Sequence, residues 1–151
     1  FELWYAAWKN GTQPYIRQFE NYVGILLGYQ PEACDQRGIC GIQNVVEADG
    51  SVYPCDFYML DEYRLGNFNA NQMEEINAKR KEIGFIERSL QLKESCKSCP
   101  YFTICRGGCQ RNRDYDQVSG MYENYFCKSY EMFFDACLPK MKEMAETLKR
   151  R

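Results

Sequence analysis

The 151-residue chain contains no histidine. That absence removes Ser-His and Cys-His nucleophile pairs, imidazole general bases and every zinc site with a histidine ligand. Carboxylates, Lys, Tyr and Cys are left to do any chemistry. A surplus of positive charge is missing too: 19 Lys and Arg stand against 21 Asp and Glu, a formal net charge of −2. No broad positive field is on offer to nucleic acid or to an anionic membrane, and neither is expected as a partner. No apolar run reaches the roughly 20 residues that span a bilayer, and no basic n-region with an apolar h-region opens the chain. A soluble, unexported, cytoplasmic polypeptide is expected. Internal repeats, low-complexity tracts and linkers are lacking as well, so a chain of this length is expected to form a single domain.

Cysteine is what the chain has in quantity. Nine of 151 residues is about 6%, below the roughly 8–10% of a short disulfide scaffold but too many for indifferent packing. The positions are Cys34, Cys40, Cys55, Cys96, Cys99, Cys105, Cys109, Cys127 and Cys137, of which Cys96 to Cys109 form a C-x2-C-x5-C-x3-C run. Adjacent disulfides in so short a run strain the S–S geometry, whereas a metal centre gathers several thiolates from one loop readily. An odd count would also strand one thiol. Metal binding is therefore the better account. Eight cysteines make two sets of four, and Cys137 is left on an apolar helical stripe as a buried spectator. Spacing leaves zinc and iron–sulfur both open. The surroundings favour iron–sulfur: Lys93, Lys97, Arg106, Arg111, Arg113 and Lys128 outnumber the four anions of the same stretch. Gly107-Gly108 would also let backbone N–H groups approach cluster sulfurs. The competing view of those charges is a solvated face.

Periodicity places the run among other elements. Leu3, Trp4, Ala7 and Trp8 mark a helix ending at Asn10-Gly11. A second helix, with Pro14 at its start, carries Ile16, Phe19, Tyr22, Val23, Leu26 and Leu27 up to Gly28. Between Ile42 and Tyr58 short β-branched runs flank Asp49-Gly50, which predicts a β-hairpin. Asn71 is placed as the cap of a third helix through Met73, Ile76, Arg80 and Ile83, with a weaker continuation over Phe85 to Leu92. From Ser95 to Tyr125 little periodicity remains, and a loop is expected. A last helix buries Tyr130, Phe133, Phe134, Cys137, Leu138, Met141, Ala145 and Leu148, with a kink at Pro139 and Lys149 to Arg151 suiting its negative end. The fold class is α+β: a hairpin, flanking helices and cysteine-rich loops organised around metal. A chain that starts at Phe1 and not at Met reads as a piece of a longer protein.

The whole pattern resembles a known family. Cys40-x9-Gly50-x4-Cys55, then Cys96-x2-Cys99-x5-Cys105-x3-Cys109, then Cys127, is similar to the seven-cysteine signature of the SPASM domain, the auxiliary-cluster domain of radical S-adenosylmethionine (SAM) enzymes. Cys34, the string Val46 to Tyr58, and Cys105-Arg-Gly-Gly-Cys109 look more specifically like the anaerobic sulfatase-maturating enzymes. The resemblance implies two [4Fe–4S] clusters, one held by Cys34, Cys40, Cys55 and Cys109, the other by Cys96, Cys99, Cys105 and Cys127. It implies a partition into a helical lead-in (1–33), the SPASM domain (34–128) and a packing helix (129–151). The radical-generating C-x3-C-x2-C motif is not in this sequence, so a third [4Fe–4S] cluster and SAM belong to a barrel elsewhere in the same protein, and this segment alone is expected to be inactive. The implied reaction oxidises a Cys or Ser of a sulfatase polypeptide to Cα-formylglycine, passes electrons through the clusters to or from an external redox partner, and uses Asp56 as the base. Burial and the neighbouring cluster are expected to raise the pKa of Asp56. Rival accounts are a SPASM domain from another radical SAM peptide-modifying enzyme, a structural zinc-binding interaction module, and a stand-alone ferredoxin-like carrier.

Overall fold

The computed structural model describes residues 1–150; Arg151, the end of the basic tail, lies outside them. Helix α1 (Glu2–Lys9) ends at Asn10, where the Asn-Gly signal places its cap. Helix α2 (Arg17–Leu26) follows, but Pro14 does not start it: Ile16 is the extended cap, and the Pro14 carbonyl instead accepts the Trp4 indole N–H at 2.9 Å. The buried indole thereby satisfies its one donor.

Strands β1 (Val45–Val46) and β2 (Ser51–Tyr53) form the expected hairpin, with Val45 opposite Tyr53 and Val46 opposite Val52. The turn is shaped by its own residues. Gly50 takes a φ of 86°, and the Asp49 carboxylate accepts the Ser51 N–H at 2.9 Å and the Ser51 hydroxyl at 2.8 Å. A third strand, β3 (Gly66–Asn67), pairs antiparallel with β2 and is not legible in the sequence, because neither residue favours a strand. Helix α3 (Met73–Glu82) starts one residue later than Asn71 predicts. Gln72 is its cap and gives its N–H to Glu75 at 2.8 Å, while the Asn71 side chain turns back to accept the Asn67 N–H at 2.9 Å.

The short helices α4 (Phe85–Arg88), α5 (Glu94–Lys97) and α6 (Phe102–Cys105) come next. The stretch expected to be loop also contains a second hairpin, β4 (Arg113–Asp116) with β5 (Met121–Asn124), in register Arg113–Asn124 to Asp116–Met121. Helix α7 (Cys127–Lys149) closes the described chain and runs on through Pro139.

The chain forms two compact units, one of Phe1–Gly38 with the chain from Leu92 onward, the other of Ile39–Gln91. The cause of this division is packing that no linker announces. In the first unit α1, α2 and α7 share a core of Trp4, Tyr22, Val23, Phe134, Met141, Met144 and Ala145, joined by Ile104 of α6. Tyr22 meets Phe134 edge to face at 5.2 Å, and burying a side chain such as Phe134 contributes about 1.5–3 kcal/mol. The second unit closes on Val52, Leu65 and Ile76.

Candidate metal centre

In the first unit the thiols of Cys96, Cys99, Cys105 and Cys127 line one cavity of about 90 Å³, whose remaining wall includes Phe102, Gly107, Asn124 and the carboxylates Glu123 and Glu131. Local structure explains the convergence. Cys96 lies in α5, Cys99 in the turn after it, Cys105 at the end of α6, and Cys127 is the first residue of α7. All nine cysteines are free of disulfides. Among the described residues no three His, Cys, Asp or Glu side chains gather closely enough for a single ion. A tetrahedral zinc takes four thiolates at about 2.3 Å and a [4Fe–4S] cluster takes one on each of its four irons; the four thiols lining the cavity supply that donor set. Burial, then the proximity of other thiols, pushes Cys96 and Cys105 up, and Cys127 follows through burial and the Glu131 and Glu123 carboxylates. A bound cationic centre reverses that preference, since ligation needs the thiolate.

The Cys105–Cys109 loop is built to expose N–H groups. Arg106, Gly107 and Gly108 all take left-handed backbone, with φ of 52°, 78° and 61°. The Gly107 N–H donates to the Cys105 sulfur, opposing the effect of burial on that thiol. No side chain fits here: a Cβ on Gly107 would stand 2.7 Å from Leu92, and one on Gly108 2.6 Å from the Asn124 amide. Beneath the loop, Arg113 Nε donates to the Gly107 carbonyl at 3.0 Å and Nη2 to the Gly108 carbonyl at 2.7 Å, while Asn124 Nδ2 donates to the Gly107 carbonyl at 3.0 Å. Arg113 and Asn124 are cross-strand partners at the end of the second hairpin. The sequence reading counts Arg113 only as one cation of several and gives Asn124 no role; the pairing of β4 with β5 is the signal that exposes both.

The cation surplus expected to face the centre is largely engaged elsewhere. Lys93 pairs with Asp116 at 2.9 Å and Glu123 at 2.7 Å, Lys97 with Glu94 at 3.1 Å, and Lys128 with Glu131 at 2.7 Å. Arg106 Nε donates to the Thr103 carbonyl at 3.0 Å.

The other predicted ligands are divided between the units. Cys34, exposed at the start of a 3₁₀ turn, and half-buried Cys109 belong to the first. Burial and the nearby Cys34 raise the Cys109 thiol, against the pull of an N–H donated by Arg111. Cys40 and Cys55 belong to the second unit, where the Cys40 N–H donates to the Ser89 hydroxyl at 3.0 Å. Asp56 is not on a hairpin strand, because β2 stops at Tyr53 and Asp56 opens a 3₁₀ turn to Tyr58. It is exposed and not buried as expected. Its Oδ1 accepts the Cys55 thiol at 3.2 Å. Cys137 sits 6% exposed in the helical core, apart from the cavity lining.

Residues 39–100 match the family model of SPASM, an iron–sulfur cluster-binding domain. That stretch is a SPASM domain. The chain is 42% identical over 149 residues to the cysteine-type anaerobic sulfatase-maturating enzyme of Clostridium perfringens strain 13, a match that covers 99% of the chain and 40% of that enzyme. The serine-type enzyme of Bacteroides thetaiotaomicron is 32% identical over 138 residues, covering 89% of the chain and 33% of the enzyme. Among solved structures, native anSMEcpe with bound AdoMet and the Cp18Cys peptide superposes with a TM-score of 0.87 at 40% identity, over 97% of this chain and 41% of that one. The chain thus resembles the anaerobic sulfatase-maturating enzymes over nearly all its residues while spanning about 40% of the length of the first relatives it matches. The α+β architecture agrees with that likeness. Among the described residues no helix is long and apolar enough to cross a membrane.

Proposed function

We propose that the full-length protein is an anaerobic sulfatase-maturating enzyme that oxidises a Cys or Ser of a sulfatase to Cα-formylglycine, and that this segment is its electron-transfer module. The observation that carries the proposal is the convergence of Cys96, Cys99, Cys105 and Cys127 on one cavity with a backbone N–H directed at the Cys105 sulfur. The identity to sulfatase-maturating relatives, cysteine-type ones above serine-type ones, supports the same function. Those four residues are assigned to one [4Fe–4S] cluster, and Cys34, Cys40, Cys55 and Cys109, following the family pattern, to another. Such clusters, when bound, supply one-electron transfer, and with four thiolates each they keep no iron open to substrate. The barrel carrying a third cluster and AdoMet lies outside this sequence.

Once a hydrogen has left the substrate Cβ, one electron and one proton must still depart, which gives the aldehyde directly from Ser and a thioaldehyde from Cys that water hydrolyses to the aldehyde with release of hydrogen sulfide. Phe102 lines the thiol cavity, and the Gly107 N–H donates to its Cys105 sulfur. Asp56, exposed and next to a ligand, is assigned as the base that takes the proton, in a chain with no imidazole to do so.

Anaerobic reconstitution of the full-length protein tests both assignments. Replacing Cys96 and Cys99 by Ala should remove about four irons, and Asp56→Asn should keep all the iron yet lose most formylglycine formation on a sulfatase peptide. Colourless protein that retains zinc overturns the cluster assignment; unchanged turnover in Asp56→Asn removes that residue from the chemistry.

A further inference from the structure

From Asp56 to Arg64 the chain of the second unit belongs to no sheet and buries no side chain completely. Tyr58 and Tyr63 are the residues of that stretch that turn inward, each half-buried. Both rings close on Arg88 at the end of α4: the guanidinium carbon stands 5.1 Å from the centre of the Tyr63 ring, 6.0 Å from that of Tyr58 and 5.8 Å from that of Phe85. The rings meet one another edge to face, Tyr58 with Tyr63 at 4.8 Å and Tyr58 with Phe85 at 5.1 Å. A guanidinium within about 6 Å of a ring centre is attracted by the ring quadrupole, more strongly where water is excluded. Arg88 Nη2 is buried and has no hydrogen-bond acceptor among the described residues. An unpaired buried donor lowers stability, and an apolar side chain of equal length would avoid that cost. What the arginine supplies is a cation that grips the stretch by its two aromatic anchors. The next residue, Ser89, accepts the Cys40 N–H, so the end of α4 holds the Cys40 segment and the segment after Cys55 at once.

Asp56 opens the turn that Tyr58 closes, where the Tyr58 N–H donates to the Cys55 carbonyl at 3.0 Å. Its carboxylate is exposed, so no surrounding packing fixes it. The bond it accepts from the Cys55 thiol ends once that sulfur is a ligand, because ligation needs the thiolate. The turn is then what sets the place of Asp56, and Tyr58 ties the turn to Arg88. A base has to stand within hydrogen-bond reach of the proton it takes. We propose that Arg88 is a positioning residue for Asp56: packed among Tyr58, Tyr63 and Phe85, its guanidinium fixes the turn on which the carboxylate stands. This rests on Asp56 being the base assigned above.

The test is a double-mutant cycle on the anaerobically reconstituted full-length protein, read as formylglycine formation on a sulfatase peptide, iron content and hydrogen exchange. Arg88→Met keeps the length of the side chain and removes its charge. It should retain the iron and lower kcat about tenfold at unchanged KM, since a reacting group displaced by about 1 Å costs up to roughly 100-fold. The Tyr58 and Tyr63 amides should exchange faster. Arg88→Lys, which restores a cation among the rings, should recover most of both effects. On an Asp56→Asn background Arg88→Met should lower kcat no further. Unchanged kcat or unchanged amide exchange in Arg88→Met overturns the inference. So does an Arg88→Lys protein that behaves as Arg88→Met, or a tenfold loss that persists on the Asp56→Asn background. Should Arg88→Met lose iron, Tyr63→Leu makes the same test, because it removes the ring nearest the guanidinium and leaves Ser89 on Cys40; loss of iron there too overturns the inference, since the rings then serve the cluster and not Asp56. Full turnover in Asp56→Asn alone refutes the assignment of the base instead, so the two failures are distinct.

Discussion

The two units of this chain are stabilised by different means. The first contains a cluster of nine buried residues built from α1, α2, α6 and α7, and a thiol cavity beside it. The second has a buried cluster of only three, Val52, Leu65 and Ile76, under two- and three-residue strands, with Tyr53, Pro54 and Phe85 buried outside that cluster. A core that small lies at the margin of what burial alone can hold against chain entropy. Two of the proposed cluster ligands, Cys40 and Cys55, fall in that second unit. Metal ligation and burial therefore take unequal shares of the two units.

Iron removal has the largest expected effect. On anaerobic chelation, amide protection should collapse across residues 39–91 and the Cys96–Cys109 loop, while α1, α2 and α7 stay protected. Equal protection in the apo and holo forms, measured by hydrogen exchange, would show that the small unit stands without metal. Next comes Phe134→Ala, at the centre of the aromatic core and fully buried. It should cost about 3–5 kcal/mol, read as a fall in denaturation midpoint, with exchange in residues 39–91 unaltered. Uniformly faster exchange in both units would contradict independent stabilisation. A milder change, Ile76→Val, should cost about 0.5–1.5 kcal/mol and speed exchange in β1, β2, β3 and α3 while leaving α7 as it was.

Legibility in the sequence also differs between regions. Cysteine spacing picks out three of the four thiols that line the cavity, Cys96, Cys99 and Cys105, but the C-x2-C-x5-C-x3-C run ends in Cys109, which is not in the lining, and Cys127 is reached only through the family resemblance. Asp49-Gly50 reads correctly because a two-residue signal fixes the turn by backbone geometry and a local carboxylate. The β4–β5 hairpin is invisible by contrast: Arg113-Asp114-Tyr115-Asp116 has neither β-branched residues nor apolar alternation, and its pairing is settled by tertiary bonds from Arg113 and Asn124 to the glycine carbonyls. The exposure of Asp56 was equally hidden, since it follows from where β2 stops and not from the residue beside it. The boundary between units carries no Gly, Pro or Ser run, and only the packing of Ile76 and Phe134 into separate clusters reveals it.

The smallest expected effect is on pH dependence and concerns the second hairpin. The Asp116 carboxyl is held down to about 2 by the Lys93 ammonium and by the Val118 N–H. An unfolded aspartate titrates near 3.9, so this interaction stabilises the hairpin above that value and is lost as pH falls toward about 2. Lys93 is raised by the same contacts, Glu123 first and Asp116 second. Its contribution is complete below the unfolded lysine value of about 10.4 and disappears as pH rises through the higher folded value. Protection of the β4–β5 amides should therefore be greatest at intermediate pH and decline at both ends. The partners are solvent-accessible, so the amplitude should be modest and should shrink with added salt. Asp116→Asn should remove the acid limb and leave the alkaline one, because Glu123 still holds Lys93 at 2.7 Å. An acid limb that survives in Asp116→Asn would trace the pH response to the cysteine site beside the hairpin.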